Sequence, residues 1–183
     1  MKNLTQNAIL NTFEEMLREM PFDKITVSAL TKRCGINHNT FYYHYQDIYS
    51  LLKDWIDRVR LRLLRCDEQM NWDDAIGLLL KKCQENESLV NHLSMSISRE
   101  YFEKYIFTSA DDIFLEYVKT EAKGRPIPEK QIHAIADFCR YAFLGFFLRF
   151  LWNGMAEDVD AAVNDLKNLF YGFVEQALAQ EQE

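Results

Sequence analysis

Glycine and proline are scarce in this sequence, with six and three among 183 residues. So few chain breakers exclude a collagen-like repeat or a disordered linker, and the abundance of apolar residues points to a compact, mainly helical protein. Cysteine is equally thin. Cys34, Cys66, Cys83 and Cys139 stand singly, with no Cys-x-x-Cys and no histidine at ligand spacing. Neither a zinc site nor a redox pair is indicated, no metal or cofactor is expected, and a reduced cytoplasmic setting is the simpler account. Also missing is an apolar run long enough for a bilayer, so no membrane partner is expected. The longest, Tyr141 to Trp152, contains Arg149, and no charged-then-apolar leader precedes Leu4. No spacing of Ser, His and an acid, no metal motif and no phosphate loop is present, so an enzyme is not expected.

A surplus of positive charge is lacking too. The formal net charge of -7 argues against nucleic acid, because phosphate contacts need Lys and Arg. The deficit is unevenly placed, however. Residues 1 to 55 hold six basic and six acidic side chains, so all of it lies farther along the chain. One copy of this neutral amino-terminal part would hold DNA weakly, and useful affinity calls for two copies or strongly localised donors.

What is present is helical periodicity. From Thr5 to Met20 apolar residues recur at three and four until Pro21 stops the helix, and Phe22 and Ile25 fold back as core anchors. Thr26 stands where an N-cap is needed for a helix of about two turns carrying Val27, Leu30 and Cys34 inward. Gly35 lets the chain turn sharply, and Asn37 caps a second short helix to Tyr45. This is helix, tight turn, helix. In the second helix Phe41 and Tyr45 are four apart and can face the core together. That leaves His38 and Asn39 as candidates for base edges and Thr40, Tyr43 and His44 as candidates for phosphate, with Tyr42 suited to either. Plain surface polarity on a small helix is the alternative. A metal held by His38 and His44 is poorer, since residues six apart lie on opposite sides of a helix.

The combined pattern of Val27-x-x-Leu30, Cys34-Gly35-Ile36 and Asn37-His38-Asn39-Thr40-Phe41-Tyr42-Tyr43-His44-Tyr45, followed by Leu51, resembles the DNA-binding domain of the TetR family of bacterial transcriptional regulators. The resemblance covers about the first third of the chain. It implies an all-α homodimer with a three-helix reading head, a double-stranded DNA operator as partner, and repression relieved by a small-molecule effector. Carried over by position, the DNA contacts fall on Thr26, His38, Asn39, Thr40, Tyr42, Tyr43 and His44. One departure is Ile48, where family members often place a phosphate-binding lysine; Lys24, Lys32, Arg33 or Lys53 could compensate.

The remainder predicts a helix from Asp47 to about Met70 that links head to body. For Arg58, Arg62 and Arg65 on it, ion pairing or a solvated face is expected ahead of an anion site. Further helices are expected from Asn71 to Asn86, over Ser88 to Ile97, through Tyr101 to Lys123, from Pro128 to Leu151 and after Asp158, about nine in all. The expected division is residues 1–46 for the helix-turn-helix domain and 47–183 for regulation and dimerisation. Phe102, Tyr105, Phe138 and Tyr141 could line a ligand pocket or simply fill a core. The last two helices carry so complete an apolar stripe that burial in a four-helix interface between subunits is expected, through Phe143, Phe147, Phe150, Leu166, Leu169, Phe170, Phe173 and Val174. The alternative function, motivated by the neutral head and acidic body, is an adaptor or coactivator working through a protein partner.

Overall fold

The computed structural model describes residues 2–64 and 71–179. Among them the chain forms ten α-helices and one 3-10 turn, and no strand, as the all-α expectation requires. Arg65, Cys66 and the expected extension of the linking helix to Met70 lie outside the described residues.

The elements fall into two compact units that do not follow chain order: residues 2–64 with 86–97, and 71–85 with 98–179. The first holds α1 (Lys2–Glu19), α2 (Val27–Cys34), α3 (His38–His44), α4 (Ile48–Leu64) and α6 (Glu87–Ser94). Its centre is apolar. Ile9, Phe13 and Leu17 of α1 meet Leu30, Phe41, Leu51 and Leu52, all with no exposure. Phe13 stands edge-on to Phe22 at 6.2 Å and to Trp55 at 6.3 Å, the geometry that aromatic quadrupoles prefer. The fold-back of Phe22 and Ile25 into this core is as the sequence suggested.

Periodicity gave no hint that α6 belongs with this unit. Leu89, Leu93 and Ile97 are buried, the Phe22 backbone N–H donates to Ser96 Oγ at 2.9 Å, and His92 Nδ1 lies 2.8 Å from the Leu17 carbonyl oxygen. These contacts satisfy polar groups where α1 ends and the chain turns, the place a helix leaves carbonyls unpaired.

The second unit holds α5 (Trp72–Glu85), α7 (Arg99–Ser109), α8 (Asp111–Glu121), α9 (Glu129–Trp152) and α10 (Val159–Ala179). The segment expected as one helix from Tyr101 to Lys123 is two, because the backbone at Ala110 opens to φ -92, ψ -1 and Asp111 and Asp112 begin a new first turn. This break supplies the tenth helix. Phe114 anchors the core, with ring centroids of Trp72, Phe143 and Phe170 within 6.0 Å. The α9–α10 turn closes through Gly154 and Met155, both at positive φ, with Met155 N–H bonded to the Phe150 carbonyl at 2.8 Å. Asp158 then caps α10 through the Ala161 N–H at 3.0 Å. No helix among the described residues is long and apolar enough to cross a membrane.

Candidate nucleic-acid interface

The α2–turn–α3 segment is built by three residues that the sequence identifies. Thr26 Oγ1 accepts from the Ala29 N–H at 3.1 Å and starts α2. Gly35 sits at φ 70 and ends it, its left-handed backbone being cheap only without a Cβ. Asn37 Oδ1 accepts from the Thr40 N–H at 2.8 Å and starts α3. Within α3, Phe41 is buried and Tyr45, the residue that closes the helix, is buried beside it with ring centroids 5.7 Å apart.

The side chains proposed for DNA then divide by exposure. His38 and Asn39 are exposed on the first turn, Tyr42 and Tyr43 are exposed farther along, and Tyr43 at 70 % is the more open. Asn39 and Tyr43, four apart, lie on the side of α3 opposite Phe41 and Tyr45. Thr40 and His44 are half-buried: the Thr40 hydroxyl donates to Asn37 at 3.0 Å, and His44 is edge-on to Tyr43 at 5.1 Å. Thr26 is exposed at the head of α2.

Of the four cations named as compensation for Ile48, two are engaged. Arg33 reaches back to α1, 2.5 Å from Glu19 and 3.4 Å from Glu15, and its guanidinium is held above its ordinary pKa by the Glu19 hydrogen bonds. Lys24 lies 3.5 Å from Asp23. Lys32 and Lys53 are exposed. Arg58 and Arg62 follow the ion-pair expectation: Arg58 binds Asp54 at 3.2 Å and Arg62 lies 3.7 Å from Glu14.

Sequence reading missed the polar joint behind α3. Asp54 Oδ2 accepts from the Tyr45 hydroxyl at 2.6 Å and from Gln6 Nε2 at 3.0 Å, while Oδ1 accepts from Arg58 Nε. Burial raises the Asp54 carboxyl, but these bonds and the Arg58 charge outweigh it and hold it below its usual value. The Tyr45 phenol is pushed up by burial and by the same carboxylate. Nothing local in the sequence signals this joint, since Gln6 and Asp54 are 48 positions apart.

In the second unit, six residues expected at a subunit interface are already buried inside the protomer: Phe143, Phe147, Phe150, Leu166, Phe170 and Val174. The reason is geometric. On a helix apolar all round, the period marks both faces alike, and α9 turns Phe143, Phe147 and Phe150 toward its own core. Leu169, 68 % exposed, and the half-buried Phe173 remain at the surface. They border an open groove of about 840 Å³ between α9 and α10, together with Phe138, Ala142, Phe146 and Ala162.

The four rings expected at a ligand pocket are also divided. Phe102 and Tyr105 are half-buried on α7, whereas Phe138 and Tyr141 are exposed on α9. Phe138 stacks on Phe173 at 4.3 Å and Tyr141 packs on Phe107 at 4.6 Å, so these two rings serve different neighbours. Elsewhere in the unit, Trp72 Nε1, Tyr117 OH and Asp73 Oδ1 are buried with no hydrogen-bond partner among the described residues. Trp72 and Tyr117 are in ring contact at 5.2 Å, and the other Asp73 oxygen lies 2.5 Å from Lys167 Nζ.

Comparison with known proteins adds to this geometry. Residues 9–54 match the model of "Bacterial regulatory proteins, tetR family", and residues 70–172 match that of a "Transcriptional regulator C-terminal region". No curated protein matches the sequence. Among solved structures, the dihydroxyacetone kinase operon activator DhaS is similar at a TM-score of 0.71 and 16 % identity, covering 94 % of this chain and 97 % of that one. A TetR transcriptional regulator from Streptococcus agalactiae 2603V is similar at 0.65 and 21 % identity, covering 94 % of each chain. A TerR/AcrR-family regulator from Aquifex aeolicus VF5 follows at 0.55 and 16 % identity, over 92 % of this chain and 99 % of that one. These likenesses show a shared fold, and the match over residues 70–172, more than half of the chain, shows the family. The chain belongs to the TetR family of transcriptional regulators.

Proposed function

We propose that the chain is a sequence-specific DNA-binding regulator acting as a cytoplasmic homodimer, with the operator read by residues 1–46 and regulation and pairing carried by 47–183. The observation that carries this is the capped α2–turn–α3 segment, which holds Asn39 and Tyr43 outward opposite the buried Phe41 and Tyr45. His38 and Asn39 meet base edges; Thr26, Thr40, Tyr42, Tyr43 and His44 position the phosphates, since hydroxyls and imidazoles can grip phosphate without net charge. The shortage of free cations makes a second head necessary. That second copy docks on the α9–α10 groove. Its small residues Ala142, Gly145, Ala161 and Ala162 permit close helix approach, and Phe138, Phe146, Leu169 and Phe173 supply apolar contact. Arg149, 3.6 Å from Glu157 of its own chain, borders the groove with Asp158 and Asp165, so charged groups rim its apolar floor. Duplex selection from a random pool by purified protein tests the reading. Enrichment of paired half-sites about one helical turn apart is expected, and no enrichment at low salt overturns it.

Regulation is read as repression released by a small-molecule effector. The polar atoms Trp72 Nε1, Asp73 Oδ1 and Tyr117 OH, without a partner among the described residues, favour a ligand there over the dispersed rings of Phe138 and Tyr141, because an unsatisfied buried polar group gains most from a new partner. An effector shifts the heads only if it binds one arrangement better. The second reading, an adaptor or coactivator working through a protein partner, is favoured by the ion pairing of Lys24 and Arg33 within the head. The similar fold of DhaS, by its name an operon activator, supports considering activation as well as repression. Steep salt dependence of operator binding by the isolated homodimer separates the readings.

A further inference from the structure

We propose that Tyr45 and Asp54 form a clamp that sets the direction of α3 against α4, making both of them positioning residues for DNA selectivity; the inference rests on the DNA-binding reading above. At seven residues, α3 is too short to hold its own direction, and Phe41 is its one buried side chain. Its beginning is fixed by the Asn37 cap. Its end depends on Tyr45, whose ring packs against Phe41 and whose hydroxyl donates to Asp54 at 2.6 Å.

Asp54 is well placed to resist movement. It takes hydrogen bonds from Gln6 of α1, from Tyr45 at the end of α3 and from Arg58 one turn along α4, and Arg58 in turn grips Asn7 of α1 at 2.8 Å. The start of α4 is fixed separately, Asp47 and Ser50 exchanging hydrogen bonds in which Ser50 N–H meets Asp47 Oδ1 at 2.7 Å. The chain from 45 to 54 is therefore tied at both ends. Without the phenol hydroxyl the ring still fills its place, but α3 can tilt about Phe41. Asn39 and Tyr43 sit on the far side of that pivot and move with it. Base-edge hydrogen bonds fall away steeply with distance and angle, whereas attraction to phosphate is broad, so a tilt lowers selectivity before it lowers general affinity.

The test uses the full chain and the duplex it selects, against a scrambled duplex of equal length. Tyr45→Phe removes one oxygen; it should weaken binding to the selected duplex about tenfold and change binding to the scrambled duplex less than about twofold. Adding Tyr45→Phe to Asp54→Ala should cost little beyond Asp54→Ala alone, because Asp54→Ala has already removed the bond that Tyr45→Phe removes. Three results overturn the clamp: wild-type selectivity in Tyr45→Phe, equal loss on both duplexes in step with a lowered melting temperature, or additive losses in the double variant. If wild type selects no duplex at all, the DNA-binding reading falls first, a failure distinct from a selective wild type with an equally selective Tyr45→Phe.

Discussion

Gly35 turns the chain between α2 and α3 at φ 70, and no neighbouring atom lies within 4 Å of where a Cβ would stand. The constraint is therefore backbone strain and not space. Gly35→Ala should destabilise the protein by about 1 kcal/mol in urea unfolding, and an unchanged midpoint would show that the turn does not need a glycine. Tyr43 carries the opposite expectation. Being 70 % exposed, it contributes little to the core, so Tyr43→Ala should leave thermal stability within about 0.5 kcal/mol while lowering affinity for the selected duplex. Equal affinity in a titration would exclude it from the interface. The turn was legible because capping chemistry is local: Thr26 and Asn37 each act on a backbone N–H three positions on. The Tyr45–Asp54 bond was not, because a tyrosine at an inward position reads equally well as a buried ring.

Among the elements, α1, α3 and α4 share the polar joint, and this gives the head a pH dependence. Burial raises the carboxyls of Asp54 and Glu14, but hydrogen bonds from Tyr45 and Arg58 to the first, and from Trp55 and Arg18 to the second, hold both below their ordinary values of 3.8 and 4.5. A carboxyl depressed by folding binds protons more readily in the unfolded chain. Its contribution is thus complete above the unfolded pKa and is lost as pH falls through the folded one. The urea midpoint should be flat from about pH 7 to 5 and fall below about pH 4.5, with a shallower fall in Asp54→Asn. A fall of the same steepness in that variant would show that the joint does not control it. Periodicity found these helices but not the break at Ala110, where apolar residues continue on both sides of a bend. Nor did it place α6, whose Leu89 and Leu93, with Ile97 just beyond it, fit any apolar surface.

For the whole molecule, the proposed pairing places Leu169 in the α9–α10 groove of each copy. Leu169→Arg puts a cation into an apolar contact on both sides of the two-fold, and it should give monomers in sedimentation. Binding to a duplex with two half-sites should then weaken by about a hundredfold or more, while binding to one half-site stays near the wild-type level, because only the linkage between heads is lost. A dimeric Leu169→Arg protein would rule out this groove as the pairing face. Four of the eight residues expected at the interface, Leu166, Leu169, Phe170 and Phe173, line the groove, whereas Phe143, Phe147, Phe150 and Val174 are buried within the protomer. Whether Phe147 or Phe146 faces inward is decided by which helices lie beside α9, and one chain's periodicity does not contain that.

Short-range chemistry set the helical class, the capped turn between α2 and α3, and the residues α3 turns outward, because each depends on interactions spanning a few positions. The sequence also carried the family through that same local pattern. Packing settled which face of α9 fills the core, that α6 packs with the amino-terminal helices, and that Asp54 joins α1, α4 and Tyr45 at the end of α3. Those outcomes depend on residues tens of positions apart competing for the same apolar surface and the same hydrogen bonds, a competition resolved only when the helices are packed.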